Sequence, residues 1–132
     1  MHHDSPLRTP IKRARGLGSA HSGTHHFWVQ RVSAVALIPL CIWFVTALIT
    51  QLLGADAQGV ALWLQNPFTA LLLAVAVVLL FMHARLGLQT IIEDYIHAEG
   101  LKLVTLLFVS AISILLGTAA LMAIFKLHFF GI

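Results

Sequence analysis

Three stretches of this chain contain no Asp, Glu, Lys or Arg: Val32 to Ala55, Ala57 to Ala84, and Leu103 to Phe125. Each is longer than the roughly 20 residues a helix needs to cross a hydrocarbon core of about 30 Å. Composition agrees: charged residues are 10% of the 132-residue chain and hydrophobic ones 59%, whereas a soluble domain carries roughly 25% charge. The reading is an all-α membrane protein with three transmembrane helices.

The boundaries of these helices are legible. His26 to Trp28 opens the first, with the tryptophan suited to the interfacial belt. It ends near Leu53, with Gly54 as its stop. Pro39, well inside, removes a backbone donor and is expected to kink the helix. Asn66-Pro67 opens the second helix in cap-then-proline order. That helix outruns the bilayer, so its end protrudes or tilts, and Gly100 breaks it. The expected helices cover about 26–53, 66–96 and 101–126 of a transmembrane domain spanning 26–132. Ser110, Ser113, Gly117 and Ala120 line one side of the third, where small side chains allow close helix approach. Cys41, the one cysteine, lies inside the first span and reads as a small packing residue.

Orientation follows from the basic residues. Arg8, Lys12, Arg13, Arg15 and Arg31 precede or open span one, whereas the first connection carries only Asp56. The positive-inside rule puts the N-terminus inside; three spans then put Asp94 to Lys102 inside and the C-terminus outside. Residues 1–25 read as a polar, basic arm drawn to anionic lipid, with docking on a soluble partner as the other reading. The arm shows neither a signal peptide's apolar core nor a transit peptide's amphipathic stripe. A bacterial inner membrane is therefore expected, ahead of a mitochondrial one, and no nucleic-acid partner is expected.

The stretch HARLGLQTIIEDYIH, His83 to His97, carries the chemistry. At about 100° per residue, His83, Gly87, Thr90, Asp94 and His97 fall on one narrow stripe, too polar to face lipid. His83 lies about 18 Å along the helix from Tyr95, within the hydrocarbon zone. An ionisable group at that depth is expensive and by default functional. Gly87, one turn on, leaves room beside the imidazole for a haem edge or another helix. Three readings stand: a haem ligand, a histidine bonded to a neighbouring helix carbonyl, and a proton relay.

A six-coordinate haem needs two axial ligands. None of the other histidines lies at His83's depth: His25 and His26 open span one, His97 follows span two, and His128 is on the far side. A bis-histidine haem would be shared with another subunit. Arg31 heads span one, where a guanidinium can snorkel or bind a carboxylate. Arg85, two positions from His83, points to nearly the opposite face and must snorkel, pair with an acid or meet a partner.

HARLGLQTIIEDYIH, with His83 followed by Asp94-Tyr95, resembles the succinate dehydrogenase hydrophobic membrane anchor subunit, the cytochrome b-type D chain of complex II. HHFWVQRVSAVALIPL, residues 25–40, is similar to that family's first span, with arginine at its head. The likeness runs from Gly23 onward. It implies that His83 is one axial ligand of a haem b shared with a second three-helix anchor subunit, the C chain. It also implies that Tyr95 donates to a ubiquinone carbonyl with Asp94 beside it on the proton-uptake side. Arg31 and His25 would hold haem propionates or border the quinone pocket, with His26 as the alternative to His25. FAD and iron–sulfur clusters would sit only in partner subunits, a flavoprotein and an iron–sulfur protein. This chain carries neither a Rossmann glycine pattern nor a cysteine ligand set, so it would have no catalytic residue for succinate oxidation.

The chain is then expected to anchor succinate:ubiquinone oxidoreductase, serving electron transport and the tricarboxylic acid cycle, and to be inactive alone. Competing readings are a quinol:fumarate reductase anchor, a small transporter or proton-channel subunit using His83, Thr90 and Asp94 as a relay, and a structural anchor or assembly factor.

Overall fold

The computed structural model describes residues 20–132; residues 1–19, which hold most of the basic arm and of the orienting charges, lie outside the described residues. Among the described residues every regular element is helical. This is what an apolar solvent demands, because a helix satisfies its backbone polar groups within one segment.

Helix α1 spans Ala20–Ala47 and runs on into a π-helical turn, Leu48–Leu52. It begins before the expected start at His26 and stays helical through Pro39. The departure from α geometry comes later, in the π turn; the hydroxyls of Thr46, just before it, and Thr50, within it, donate to the carbonyls of Ile42 and Thr46 at 2.8 Å each. The helix then stops as expected: Leu53 is extended and Gly54 takes a φ of 86°, a left-handed conformation that glycine adopts without steric cost.

A short helix α2, Ala57–Gln65, follows. It was not expected from the sequence, because its nine residues fall inside an apolar stretch without a visible break. Its signal was Asp56, whose carboxylate accepts from the Gly59 N–H at 2.8 Å as an N-cap. Trp63 stacks on Trp43 of α1, with ring centroids 5.9 Å apart and planes 17° from parallel. On the other side, Nδ1–H of His128 donates to the carbonyl of Leu64 at 2.8 Å. The apolar core lies at this end, around Leu64, Ala70 and Ile124.

Helix α3, Pro67–Tyr95, opens as its sequence predicts: Asn66 Oδ1 accepts from the Phe68 N–H at 2.9 Å, with proline in the first turn. Its 29 residues extend about 44 Å, well beyond a bilayer core of about 30 Å. The break that follows is at Ile96–Ala98, not at Gly100. Ile96 and Ala98 are extended, and Gly100 lies inside the first turn of helix α4, Glu99–Phe130. Glu99 opens that turn, where a carboxylate complements the helix dipole.

The three long helices are all apolar and long enough to cross a membrane. They are arranged as a row, with α3 packed against both α1 and α4, while among the described residues the backbones of those two do not come close to each other. The small residues of α4 do face α3: a Cβ built on Gly117 would stand 3.5 Å from the Phe81 ring. An open row leaves most of each span's apolar surface uncovered within the chain.

Candidate functional site

On α1, Gln30, Ser33, Leu37, Leu40, Phe44 and Ala47 recur at helical spacing and are covered or partly covered. This stripe faces α3. Ser33 is 1% exposed, the one fully buried side chain among the described residues. Its hydroxyl donates to the carbonyl of Gln30 at 3.0 Å, and its oxygen lies 3.1 Å from Nδ1 of His83. His83 is half-buried. Its partner is a side-chain hydroxyl on the neighbouring helix, not a backbone carbonyl, and Nε2 has no hydrogen bond among the described residues.

Gly87 lies against α1 as well: a Cβ there would come within 4.0 Å of Gln30 Nε2. Of the two neighbours the sequence allowed beside Gly87, it is another helix that packs there. Ser33 was missed in the sequence. The available signal was a lone hydroxyl in an apolar run at helical spacing from Gln30 and Leu37.

One turn beyond, a cleft of about 350 Å³ opens between the start of α1 and the end of α3. Its walls include His26, Phe27 and Gln30 from α1, and Gln89, Thr90 and Glu93 from α3. Gln89 Nε2 donates to Glu93 Oε1 at 2.8 Å, and the Thr90 hydroxyl donates to the Leu86 carbonyl at 3.1 Å. Of the adjacent histidines, His26 lines the cleft and His25 does not; their rings meet edge-to-face at 6.4 Å. Glu93 was also missed in the sequence, masked by the more conspicuous Asp94-Tyr95 pair.

The remaining predicted residues point outward. Tyr95, the last residue of α3, is 78% exposed, and Asp94 is exposed beside it; neither lines the cleft. His97 falls in the extended link after Tyr95, so it does not continue the helical stripe of His83. Arg31 is exposed, with its guanidinium carbon 5.1 Å from the centre of the Phe27 ring in a cation–π contact. It stands two positions from Ser33, on nearly the opposite face of α1. Arg85 borders a groove between α3 and α4 together with Phe81, Ser113 and Gly117. Within this chain, then, His83 is joined to Ser33, while Arg31, His25, Asp94 and Tyr95 are presented to whatever packs outside.

The donor chemistry suits one axial position of a haem. A neutral imidazole held through Nδ1 offers its other nitrogen to a metal. Among the described residues no three His, Cys, Asp or Glu side chains group into a metal site of their own, so further ligands would have to come from outside them.

Residues 5–128 match the family described as Succinate dehydrogenase/Fumarate reductase transmembrane subunit, a match that begins well before Gly23. Among curated proteins, the succinate dehydrogenase hydrophobic membrane anchor subunit of Rickettsia bellii is 33% identical over 119 residues, covering 90% of this chain and 94% of that one. The same subunit from Paracoccus denitrificans is 35% identical over 115 residues, covering 87% and 84%. A succinate dehydrogenase membrane anchor subunit from Reclinomonas americana is 28% identical over 95 residues, covering 70% and 79%. Three apolar spans and bacterial anchor relatives mark a multi-pass protein of the bacterial inner membrane. The chain belongs to the succinate dehydrogenase/fumarate reductase transmembrane subunit family, as a membrane anchor subunit of an enzyme complex.

Proposed function

We propose that this chain anchors a succinate:ubiquinone oxidoreductase in the membrane, supplies one axial ligand to a haem b, and forms one wall of the ubiquinone-reduction site. The observation that carries the reading is His83: an imidazole inside a membrane span, fixed through Nδ1 by Ser33, with Nε2 uncommitted. The open row of helices supports a second anchor subunit on the uncovered faces, from which the other axial ligand would come. The named relatives favour succinate as the electron donor.

A bound b-type haem would supply a one-electron store between the soluble subunits and the quinone. This chain's own residues have simpler tasks. Tyr95 presents its phenol at the end of α3, where it donates a hydrogen bond to a quinone carbonyl as negative charge gathers there. Asp94, exposed beside it, holds a proton-accepting carboxylate at the aqueous edge. Arg31, outward-facing on Phe27, offers a cation to haem propionates or to the quinone, and His25, exposed near the start of α1, is a second candidate for the propionates. The N-terminus lies inside, which puts Tyr95 and the link to α4 on the inner side beside the flavoprotein and iron–sulfur subunits. Thr90 is engaged with its own helix and Asp94 lies off the cleft, so a relay through His83, Thr90 and Asp94 has no comparable support.

The test is capture of the intact complex from detergent-solubilised membranes through a tag on this chain. The expected result is co-purification of a flavin-bearing and an iron–sulfur subunit with succinate-dependent ubiquinone reduction. Recovery of the chain without succinate oxidation would overturn the reading.

A further inference from the structure

We infer that Ser33 is a positioning residue that selects the tautomer of His83 and aims its Nε2 at the haem iron; the inference rests on the proposed axial role of His83. The argument is one of proton counting. A serine hydroxyl has one proton to donate and lone pairs to accept with. Here the proton goes to the Gln30 carbonyl at 3.0 Å, so the 3.1 Å contact with His83 is made through a serine lone pair. The imidazole nitrogen at that contact must therefore donate. A neutral imidazole carries a single N–H, so His83 is protonated on Nδ1 and Nε2 keeps its lone pair. That is the tautomer a metal ligand needs.

Three further features fit the same role. Ser33 is 1% exposed, so water does not compete for its oxygen. Donation to the carbonyl polarises the hydroxyl and makes its oxygen a better acceptor, since hydrogen bonds in a chain reinforce one another. A stronger bond to Nδ1–H in turn makes Nε2 a better electron donor to a metal. The arrangement also ties the ring plane to α1, a different helix from the one that bears His83, so rotation about the imidazole side chain is limited from outside.

The experiment uses the whole complex in three forms: wild type, Ser33→Ala and Ser33→Thr. Two quantities are read: haem retained per complex on dilution in detergent, and the haem midpoint potential by optical redox titration. Ser33→Ala is expected to weaken haem binding about 10- to 100-fold and to raise the midpoint potential, because a poorer donor stabilises ferric iron less. Ser33→Thr, which keeps the hydroxyl, is expected to stay near wild type in both. Should the alanine form not assemble, Ser33→Cys keeps nearly the same volume with a far weaker hydrogen-bonding group and is read the same way. A hydroxyl-free variant with wild-type haem affinity and potential overturns the role of Ser33 and leaves the ligand role of His83 standing. A wild-type complex without haem overturns both.

Discussion

The imidazole of His83 and the hydroxyl of Ser33 meet at 3.1 Å, a side-chain bond between α1 and α3. Phe81, two positions before His83, packs toward Gly117 of α4 on the other side of α3. The middle helix thus commits opposite faces to its two neighbours, and the residues that follow inherit that rotation. Tyr95 is the last residue of α3 and is 78% exposed, at the point where the helix gives way to the extended link before α4.

From that placement, Tyr95→Phe is expected to lower ubiquinone reduction by about two orders of magnitude, the usual scale for loss of a positioned proton donor. Succinate oxidation by an artificial acceptor at the soluble subunits should not change. Nor should thermal stability, since the side chain is 78% exposed within the chain. Steady-state assays with the two acceptors, run on one preparation, check this; equal losses in both would show that Tyr95 acts on assembly and not on the quinone.

The α3–α4 contact makes a graded prediction. A methyl on Gly117 would meet Phe81 at 3.5 Å, ordinary van der Waals contact, so Gly117→Ala should leave stability within about 0.5 kcal/mol. Gly117→Ile should overpack the contact and cost about 1–3 kcal/mol. Thermal denaturation of the detergent-solubilised complex distinguishes them, and an alanine variant as unstable as the isoleucine one would contradict the geometry.

The short helix α2 is pinned from both sides, by Trp43 stacking on Trp63 and by His128 donating to the Leu64 carbonyl. His128→Ala strips the partner from a carbonyl of a buried residue and should cost about 1–3 kcal/mol. Trp63→Ala should lose about 0.5–1.5 kcal/mol of ring pairing in addition to the buried area. Both lesions are at the end of the molecule away from His83, so the absorption spectrum of the complex should be unchanged while the melting temperature falls.

How much of this was legible in the sequence differs by element. Three spans followed from the uncharged stretches, and Asn66-Pro67 marked the start of α3 because cap and proline each act on the first turn alone. The small-residue side of α4 was visible too, since spacing determines face. Helix α2 was hidden: its residues are as apolar as the spans around them, and only the Asp56 cap set them apart. The break before α4 was placed at Gly100, yet the chain turns at Ile96–Ala98, where no residue is a poor helix former. At the site, His83, Asp94 and Tyr95 stood out as polar groups at the wrong depth or at an edge. Ser33 and Glu93 did not, because their significance lies in which helix they face, and that depends on how α1 is rotated against α3.

The most direct test of the central claim is the dithionite-reduced minus oxidised absorption spectrum of the complex purified through this chain, beside its His83→Ala variant. A b-type haem signal in the wild type that is lost or shifted in the variant is the predicted result. An identical haem signal in both, or none in the wild type, would contradict His83 as an axial ligand.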